Sequence, residues 1–303
     1  MSDVFISIII PAFKSEATIG DLMQSTAALN AEIPHEVIVV DSSPDEITAG
    51  IVRQYEHVNL IRTEGRLTPG QARNLGAEKS YGQYFAFIDS DTEIKADYLD
   101  HLKETIEMGY DFIAGAIGNS PKNDTALSVA EYYYEFNEHS PYQPEKEIWF
   151  AGSCNLICRR DLFFKAGGFL PHRGSEDVML SMKIKEMQKK IYFNPRVVVY
   201  HRNRKSLKKI RINTVMLGKF IAMFRKQGLM PSYGIVDKPL ICWLIIPLFA
   251  LIKIYRTLKR VLTSKDPRKF ELVKYFPAYL LIIAFWATGF YIGAYGKNLD
   301  ITR

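Results

Sequence analysis

Acidic residues almost vanish from the last third of this sequence. Residues 201–303 hold 20 Lys and Arg against 4 Asp and Glu, whereas residues 1–200 hold 19 against 29. The net charge of +6 therefore conceals an acidic region joined to a strongly basic one. A basic segment of this kind calls for an anionic partner, either nucleic acid or lipid headgroups. Cysteine is also scarce: Cys154, Cys158 and Cys242 are the whole set. An odd, sparse set supplies no disulfide framework and fits a reducing compartment. Cys154 and Cys158 alone cannot complete a four-ligand zinc site, so both are expected to be buried structural thiols. No apolar leader is expected either. The opening Met-Ser-Asp-Val-Phe-Ile-Ser-Ile-Ile-Ile-Pro is too short and too acidic for a signal peptide, which leaves the first domain expected in the cytosol. No internal repeat or low-complexity segment appears, and 48% hydrophobic with 24% charged residues excludes a disordered chain.

What is present is an alternation of strand and helix patterns. Val4–Ile10 is a continuous β-branched run, as in a strand covered on both faces. A helical pattern at Glu16–Leu29, a strand at Val37–Val40, a short helix at Glu46–Tyr55 and a strand at Val58–Ile61 follow. Pro69 opens a helix over Gln71–Lys79, and Tyr84–Ile88 is the fourth strand. This predicts an α/β fold with an open, twisted, mostly parallel sheet and right-handed crossovers. Ligands in such sheets sit at the carboxyl ends of the strands, so residues 11–14, 41–43 and 89–91 should face one crevice. Further on, a strand at Phe112–Ala116, a helix at Leu127–Asn137 and a polar loop at His139–Glu147 are expected. A strand at Ser153–Cys158, a short helix from Arg160, a loop at Gly167–Gly174 and a helix from Glu176 to Lys189 come next. Strands near Ile191–Phe193 and Val197–Tyr200 close the domain.

After His201 the character changes. Arg202, Arg204, Lys205, Lys208, Lys209 and Arg211 form a basic run that continues as a helix to about Lys226. Leu240–Ile252 is uncharged for 13 residues and interrupted by Pro247, while Tyr275–Gly296 is uncharged for 22. As a helix the second stretch would reach about 33 Å, enough for a bilayer core. Residues 253–274 between them hold eight Lys and Arg and two acidic residues. Charges flanking long apolar stretches are the pattern of membrane anchoring, and no nucleic-acid-binding motif appears, so membrane lipids are the expected partner. If both stretches crossed, the cationic loop would lie outside, against the positive-inside rule. Leu240–Ile252 is therefore expected as a re-entrant or interfacial segment, with residues 253–274 cytosolic. Tyr275–Gly296 then either crosses or lies beside it as a shallow hairpin.

Five positions carry candidate chemistry. Asp89-Ser90-Asp91 follows the fourth strand, and side chains two apart near a strand end point the same way. Both carboxylates can address one cation, with oxygen ligands suiting Mg²⁺ or Mn²⁺, or they belong to a solvated turn. Asp41 at a neighbouring strand end either accepts hydrogen bonds from a base or ribose or caps the following Ser-Ser-Pro as an Asx turn. Arg73 near a helix N-terminus suits bidentate phosphate contact, or forms an ordinary salt bridge. Gly174-Ser175-Glu176-Asp177 places Ser175 as an N-cap and two carboxylates in a first helical turn, where one acts as general base or both only stabilise the helix start. His201 ends the last strand and is either a ligand or a packed side chain.

In order and spacing these pieces resemble the family 2 glycosyltransferases. The matching segments are Ser7-Ile-Ile-Ile-Pro11, Val39-Val-Asp-Ser-Ser43, Ala72-Arg-Asn-Leu-Gly76 and Asp89-Ser-Asp91, then Gly152 within Phe150–Asn155. Arg159-Arg160, Gly167-Gly-Phe169, Glu176-Asp177 and Tyr200-His201 complete the series, which covers roughly residues 4–205. The resemblance implies a GT-A fold and an inverting transfer from a nucleotide-diphosphate sugar. It makes Pro11, Asp41, Arg73, Asp89 and Ser90 the nucleotide-binding residues, with uracil the expected base. Asp91, Asp89 and His201 would hold Mg²⁺ or Mn²⁺, Asp177 would be the general base and Glu176 its neighbour. Trp149 and Gly152 are the acceptor-side candidates, Trp149 either stacking on a sugar or packing in the core.

The expected organisation is a catalytic domain over 1–205, nucleotide-binding in 1–100 and acceptor-binding in 101–205. A basic helical region over 206–303 follows, with apolar segments 240–252 and 275–296. Its expected work is sugar transfer to a lipid-linked or glycan acceptor at the cytoplasmic membrane face. The alternatives are a non-catalytic scaffold of the same fold, or a sugar nucleotidyltransferase. The latter wants a glycine-rich phosphate loop after the first strand, which Pro11-Ala-Phe-Lys14 does not offer.

Overall fold

A computed structural model describes residues 5–171, 174–228 and 238–296. Val4, with which the first strand was expected to open, lies outside the described residues, as do 172–173 of the glycine loop and 297–303 of the basic region. The chain forms two compact units. The first comprises the residues up to Ser120 together with His139–Arg202; the second comprises Pro121–Glu138 together with Asn203 onward. The second unit thus takes in 121–138, which the sequence reading placed with residues 1–205.

In the first unit, β1 (Ile6–Ala12), α1 (Ile19–Ala27), β2 (His35–Asp41), α2 (Ile47–Val52), β3 (Val58–Arg62), α3 (Pro69–Lys79) and β4 (Tyr84–Ile88) follow the expected alternation. The strands lie in the order β3-β2-β1-β4, all parallel. Ile6, Ile8, Ile9 and Ile10 of β1 are fully buried, because helices cover both faces of a parallel sheet. α3 starts where Thr68 and Gln71 satisfy each other's backbone N–H groups in a capping box, with Pro69 at the first helical position. Gly76 lets α3 lie close on the sheet: a Cβ there would stand 2.5 Å from Ile9 Cγ2.

β5 (Thr92–Ile94), α4 (Tyr98–Glu107) and β6 (Phe112–Asn119) come next, and α5 (Ala126–Phe136) belongs to the second unit. The first unit resumes with β7 (Lys146–Ile148), β8 (Asn155–Arg159), α6 (Arg160–Lys165), α7 (Glu176–Glu186) and β9 (Ile191–His201). β8 runs antiparallel between β4 and β6, and β6 pairs β9 in parallel. β9 is one strand rather than the two expected from sequence. Pro195 cannot donate to the ladder, and the register against β6 slips between Gly115 and Ala116 to absorb it. β5 and β7, three residues each, pair with β9 near its opposite ends; strands that short leave no periodic signature.

The second unit holds α5, α8 (Leu207–Lys226), α9 (Pro239–Thr263), α10 (Phe270–Lys274) and α11 (Phe276–Tyr295). α8 and α11 approach backbone to backbone through three glycines. A Cβ on Gly218 would lie 2.3 Å from Trp286 O, one on Gly289 2.0 Å from Val215 O, and one on Gly293 2.3 Å from Lys219 O. Such small-residue contacts are typical of helices associating inside membranes. α9 corrects the expected interruption at Pro247. The helix runs straight through that residue, which is exposed and costs one backbone hydrogen bond, and it carries on past Ile252 into the cationic segment. Residues 253–274 are thus mostly helix rather than a loop. Among the described residues one helix, α11, is long and apolar enough to cross a bilayer. Its outward stripe, Leu280, Leu281, Tyr291, Ile292 and Tyr295, is joined on α9 by Trp243, Leu244, Leu248, Leu251 and Tyr255.

Candidate active site

The carboxyl ends of β1, β2 and β4 carry Pro11, Asp41 and the Asp89–Asp91 segment. Pro11 and Ala12 are in register with Val40 and Asp41. Asp41 is fully buried, and its own chain occupies both its oxygens. Oδ1 accepts from Ser43 N at 2.9 Å and Ser43 Oγ at 2.6 Å, while Oδ2 accepts from Arg62 Nη1 at 2.6 Å. The Asx-turn alternative is therefore realised. Arg62, at the end of β3, is a partner that sequence alone did not single out. Ser90 is held by a hydroxyl–hydroxyl bond to Ser15 at 2.8 Å.

Asp91 and His201 meet through β5. Thr92 pairs with His201 across the β5–β9 ladder, and Arg202 N donates to Asp91 O at 2.8 Å. This brings His201 Nε2 to 3.2 Å from Asp91 Oδ1, close to the edge of an octahedron whose bonds are about 2.1 Å. The His201 side chain is only 5% exposed, against 36% for Asp91. Asp89 lies near the same histidine: one of its carboxylate oxygens, a His201 ring nitrogen and the Cys154 thiol lie within 4.8 Å of one another. Carboxylate and imidazole donors around one point fit a divalent cation.

Arg73 links this cluster to the start of α7. Its guanidinium is almost wholly buried and donates to Asp89 Oδ1 at 2.5 Å and to Glu176 Oε1 at 3.1 Å. Burial alone would depress its pKa, but Asp89 and Glu176 outweigh that and hold it above the ordinary arginine value. The salt-bridge alternative is thus what Arg73 makes here, and the pair of bonds ties two loops into one chain of charge.

Glu176 also accepts from Gly174 N at 2.9 Å. Asp177 Oδ2 accepts from Ser153 N at 3.1 Å and Oδ1 from Val178 N at 2.8 Å. Desolvation, with Glu176 beside it, pushes Asp177 up to about 6, against the pull of those two N–H groups and Arg73. Ser175 occupies the N-cap position but does not cap with its side chain, a correction to the sequence reading. Its φ of +59°, after Gly174 at +102°, is a left-handed turn that aims both carboxylates inward, and a non-glycine residue there is strained. Asn74 fixes the neighbouring glycine loop, donating to Phe169 O at 2.8 Å and accepting from Phe169 N at 3.0 Å.

Trp149 is 42% exposed and leans on Phe150, so it is not a core aromatic. Gly152 O accepts from Asn155 N at 3.1 Å, turning the chain toward Ser153. Cys154 and Cys158 are both buried, as expected. The position of Cys154 beside Asp89 and His201 was not foreseen, because nothing in the spacing relates residue 154 to either.

Residues 7–165 match the profile of glycosyl transferase family 2. Glycosyltransferase AglE of Haloferax volcanii is 28% identical over 175 residues, 55% of this chain and 57% of the relative. The putative teichuronic acid biosynthesis glycosyltransferase TuaG of Bacillus subtilis is 33% identical over 104 residues, 33% of this chain and 40% of the relative. The chain thus spans about half the length of the curated relatives it matches, or less. In structure it is similar to the mannosyltransferase PcManGT of Pyrobaculum calidifontis in complex with GDP-Man and Mn²⁺, with TM-score 0.59 and 17% identity over 97% of this chain and 87% of that one. It is also similar to Staphylococcus aureus TarS 1–349 in complex with UDP, with TM-score 0.52 and 16% identity over 96% and 92%. These likenesses show the fold, a mixed α/β sheet with flanking helices like that of its GT-A neighbours.

Proposed function

The chain belongs to glycosyl transferase family 2, and from that premise we propose that it transfers a sugar, with inversion, from a nucleotide-diphosphate donor to an acceptor hydroxyl. The observation that carries this reading is the Asp89–Arg73–Glu176 chain of ion pairs, which joins the candidate cation loop to the residue preceding the candidate base, Asp177. Asp177 takes the acceptor proton on a carboxylate oxygen as the acceptor oxygen bonds to the anomeric carbon. The bond from that carbon to the diphosphate breaks, and its electron pair leaves with the diphosphate. A carboxylate held near 6 is ionised at neutral pH yet basic enough for the task. Arg73 keeps Asp89 and Glu176 in place without itself reaching solvent. Asp89, Asp91 and His201 would hold Mg²⁺ or Mn²⁺, which supplies Lewis-acid stabilisation of the leaving diphosphate.

A UDP-sugar is the favoured donor, as the family resemblance of the Val39–Ser43 segment implies; Asp41 would meet the base only by giving up a bond to Ser43 or Arg62. Trp149, exposed beside the segment that leads to Gly152, would offer a face to an acceptor sugar. The acceptor is a lipid-linked sugar or growing glycan at the cytoplasmic membrane face. The apolar stripes of α9 and α11, with Arg256 and Lys259 continuing the exposed side of α9, support that location.

The test is release of nucleoside diphosphate from a panel of nucleotide sugars, with membrane extract as acceptor source and with or without Mn²⁺. Metal-dependent release from at least one donor, lost in Asp177→Asn, is expected. No release from any donor, or release untouched by that substitution, would overturn the assignment.

A further inference from the structure

Two cysteines four residues apart sit in opposite surroundings. Cys158 lies in the apolar core with Phe85 and Leu162, and burial pushes its thiol well above the ordinary range. Such a thiol is inert. Cys154 is also buried, but its sulfur is grouped with a carboxylate oxygen of Asp89 and a ring nitrogen of His201. The backbone that carries it is fixed on both sides. Ser153 N is bound to Asp177, while the Asn155 side chain donates to Ala116 O at 2.9 Å and Val197 O at 3.0 Å and accepts from Tyr98 Oη at 2.9 Å. A thiol on so firmly held a segment is placed toward that donor cluster rather than brought there by chance fluctuation.

We propose that Cys154 Sγ is a further ligand of the divalent cation held by Asp89, Asp91 and His201. The inference rests on the metal-dependent reading above and adds a soft donor to it. Binding replaces the S–H bond by a sulfur–metal bond, and the proton leaves to solvent. Sulfur beside imidazole and carboxylate shifts the preference of a site from Mg²⁺ toward Co²⁺ and Zn²⁺. The centre should therefore bind these thiophilic ions more tightly than its aspartates alone would imply.

Cobalt titration of the full chain tests this with a readout independent of turnover. Visible d–d bands report binding, and a near-ultraviolet thiolate-to-cobalt charge-transfer band reports the sulfur ligand. Wild type should show both, saturating together. Cys154→Ser should keep the visible bands and lose the near-ultraviolet one, whereas Cys242→Ala should keep both. In Zn²⁺ competition Cys154→Ser should lose at least the about tenfold in affinity that even outer-shell partners typically contribute. Visible bands in wild type without the charge-transfer band would overturn the Cys154 assignment and leave the metal reading standing. Absence of visible bands, together with no bound Mn²⁺ by electron paramagnetic resonance in the presence of UDP, would overturn both. Because the deciding spectrum is that of wild type, a variant that fails to fold does not blunt the test.

Discussion

The two units differ in what they leave exposed more than in what they bury, for the second also encloses Glu131 and Asp266. The first buries charge: Asp41, Arg73, Glu176 and His201 are all inside it, each paired. Its large exposed apolar side chains, such as Ile47, Tyr81 and Met108, are scattered singly, which is ordinary for a protein surface. The second unit exposes apolar surface in continuous stripes along α9 and α11, beyond what a water-facing surface tolerates without a partner. Buried charge is costly unless each group is satisfied, and exposed hydrocarbon is costly unless something covers it. The first unit thus encloses paired charge where the reaction is proposed, and the second leaves hydrocarbon uncovered where lipid contact is proposed.

That contrast can be broken one side at a time. The largest expected effect is on the reaction side. Asp177→Asn should lower transfer by about 10²–10⁴-fold while leaving nucleotide binding, read by calorimetry, and vesicle binding unchanged. On the lipid side, Leu244→Glu, Leu248→Glu and Leu251→Glu combined should reduce flotation with anionic vesicles by about 100-fold or more. These leucines are 68%, 52% and 62% exposed, so each withdrawn from hydrocarbon forfeits on the order of 0.9 kcal/mol. Transfer to a soluble acceptor should survive the triple change. Loss of both activities together would show that the units are not separable in function.

A smaller effect sharpens the role of Asp177. Its protonated form cannot accept a proton, so kcat/KM should fall about tenfold per pH unit below about 6. The sign for stability is opposite. A carboxylate raised from 3.8 to about 6 in the folded state favours folding when protonated. Its contribution is full at acid pH and is lost as pH rises through that window. The melting temperature of Asp177→Asn relative to wild type should therefore rise between those values and level off above them. The smallest effect concerns helix approach in the second unit. Gly289→Ala puts a methyl 2.0 Å from Val215 O and should cost about 1–3 kcal/mol, read as a lowered melting temperature in detergent with nucleotide binding in the first unit intact.

Much of the first unit was legible because its strands are β-branched runs and its helix starts carry local signals. Tyr84–Ile88 is the same strand in sequence and structure, and Pro69 opens α3 where proline at a first turn should. The candidate site positions were legible as types and not as contacts. Arg73 was readable as an arginine near a helix start, yet its two carboxylate partners lie 16 and 103 residues away. Ser175 read as an ordinary N-cap because a left-handed backbone leaves no mark on residue identity unless the residue is glycine. Pro247 read as a break because proline usually ends a helix, whereas α9 continues past it to Thr263.

By itself the sequence determined the parallel α/β sheet, the order of acidic loops at the strand ends and the basic, apolar character of the last hundred residues, since all three are written in local pattern. Only the tertiary structure decided that Asp91 faces His201, that Cys154 joins Asp89, and that Arg73 bridges Asp89 to Glu176. Those pairings depend on the three-residue strand β5, on the turn before β8 and on the strained entry to α7. Each is set by long-range packing and pairing that no short window of residues encodes.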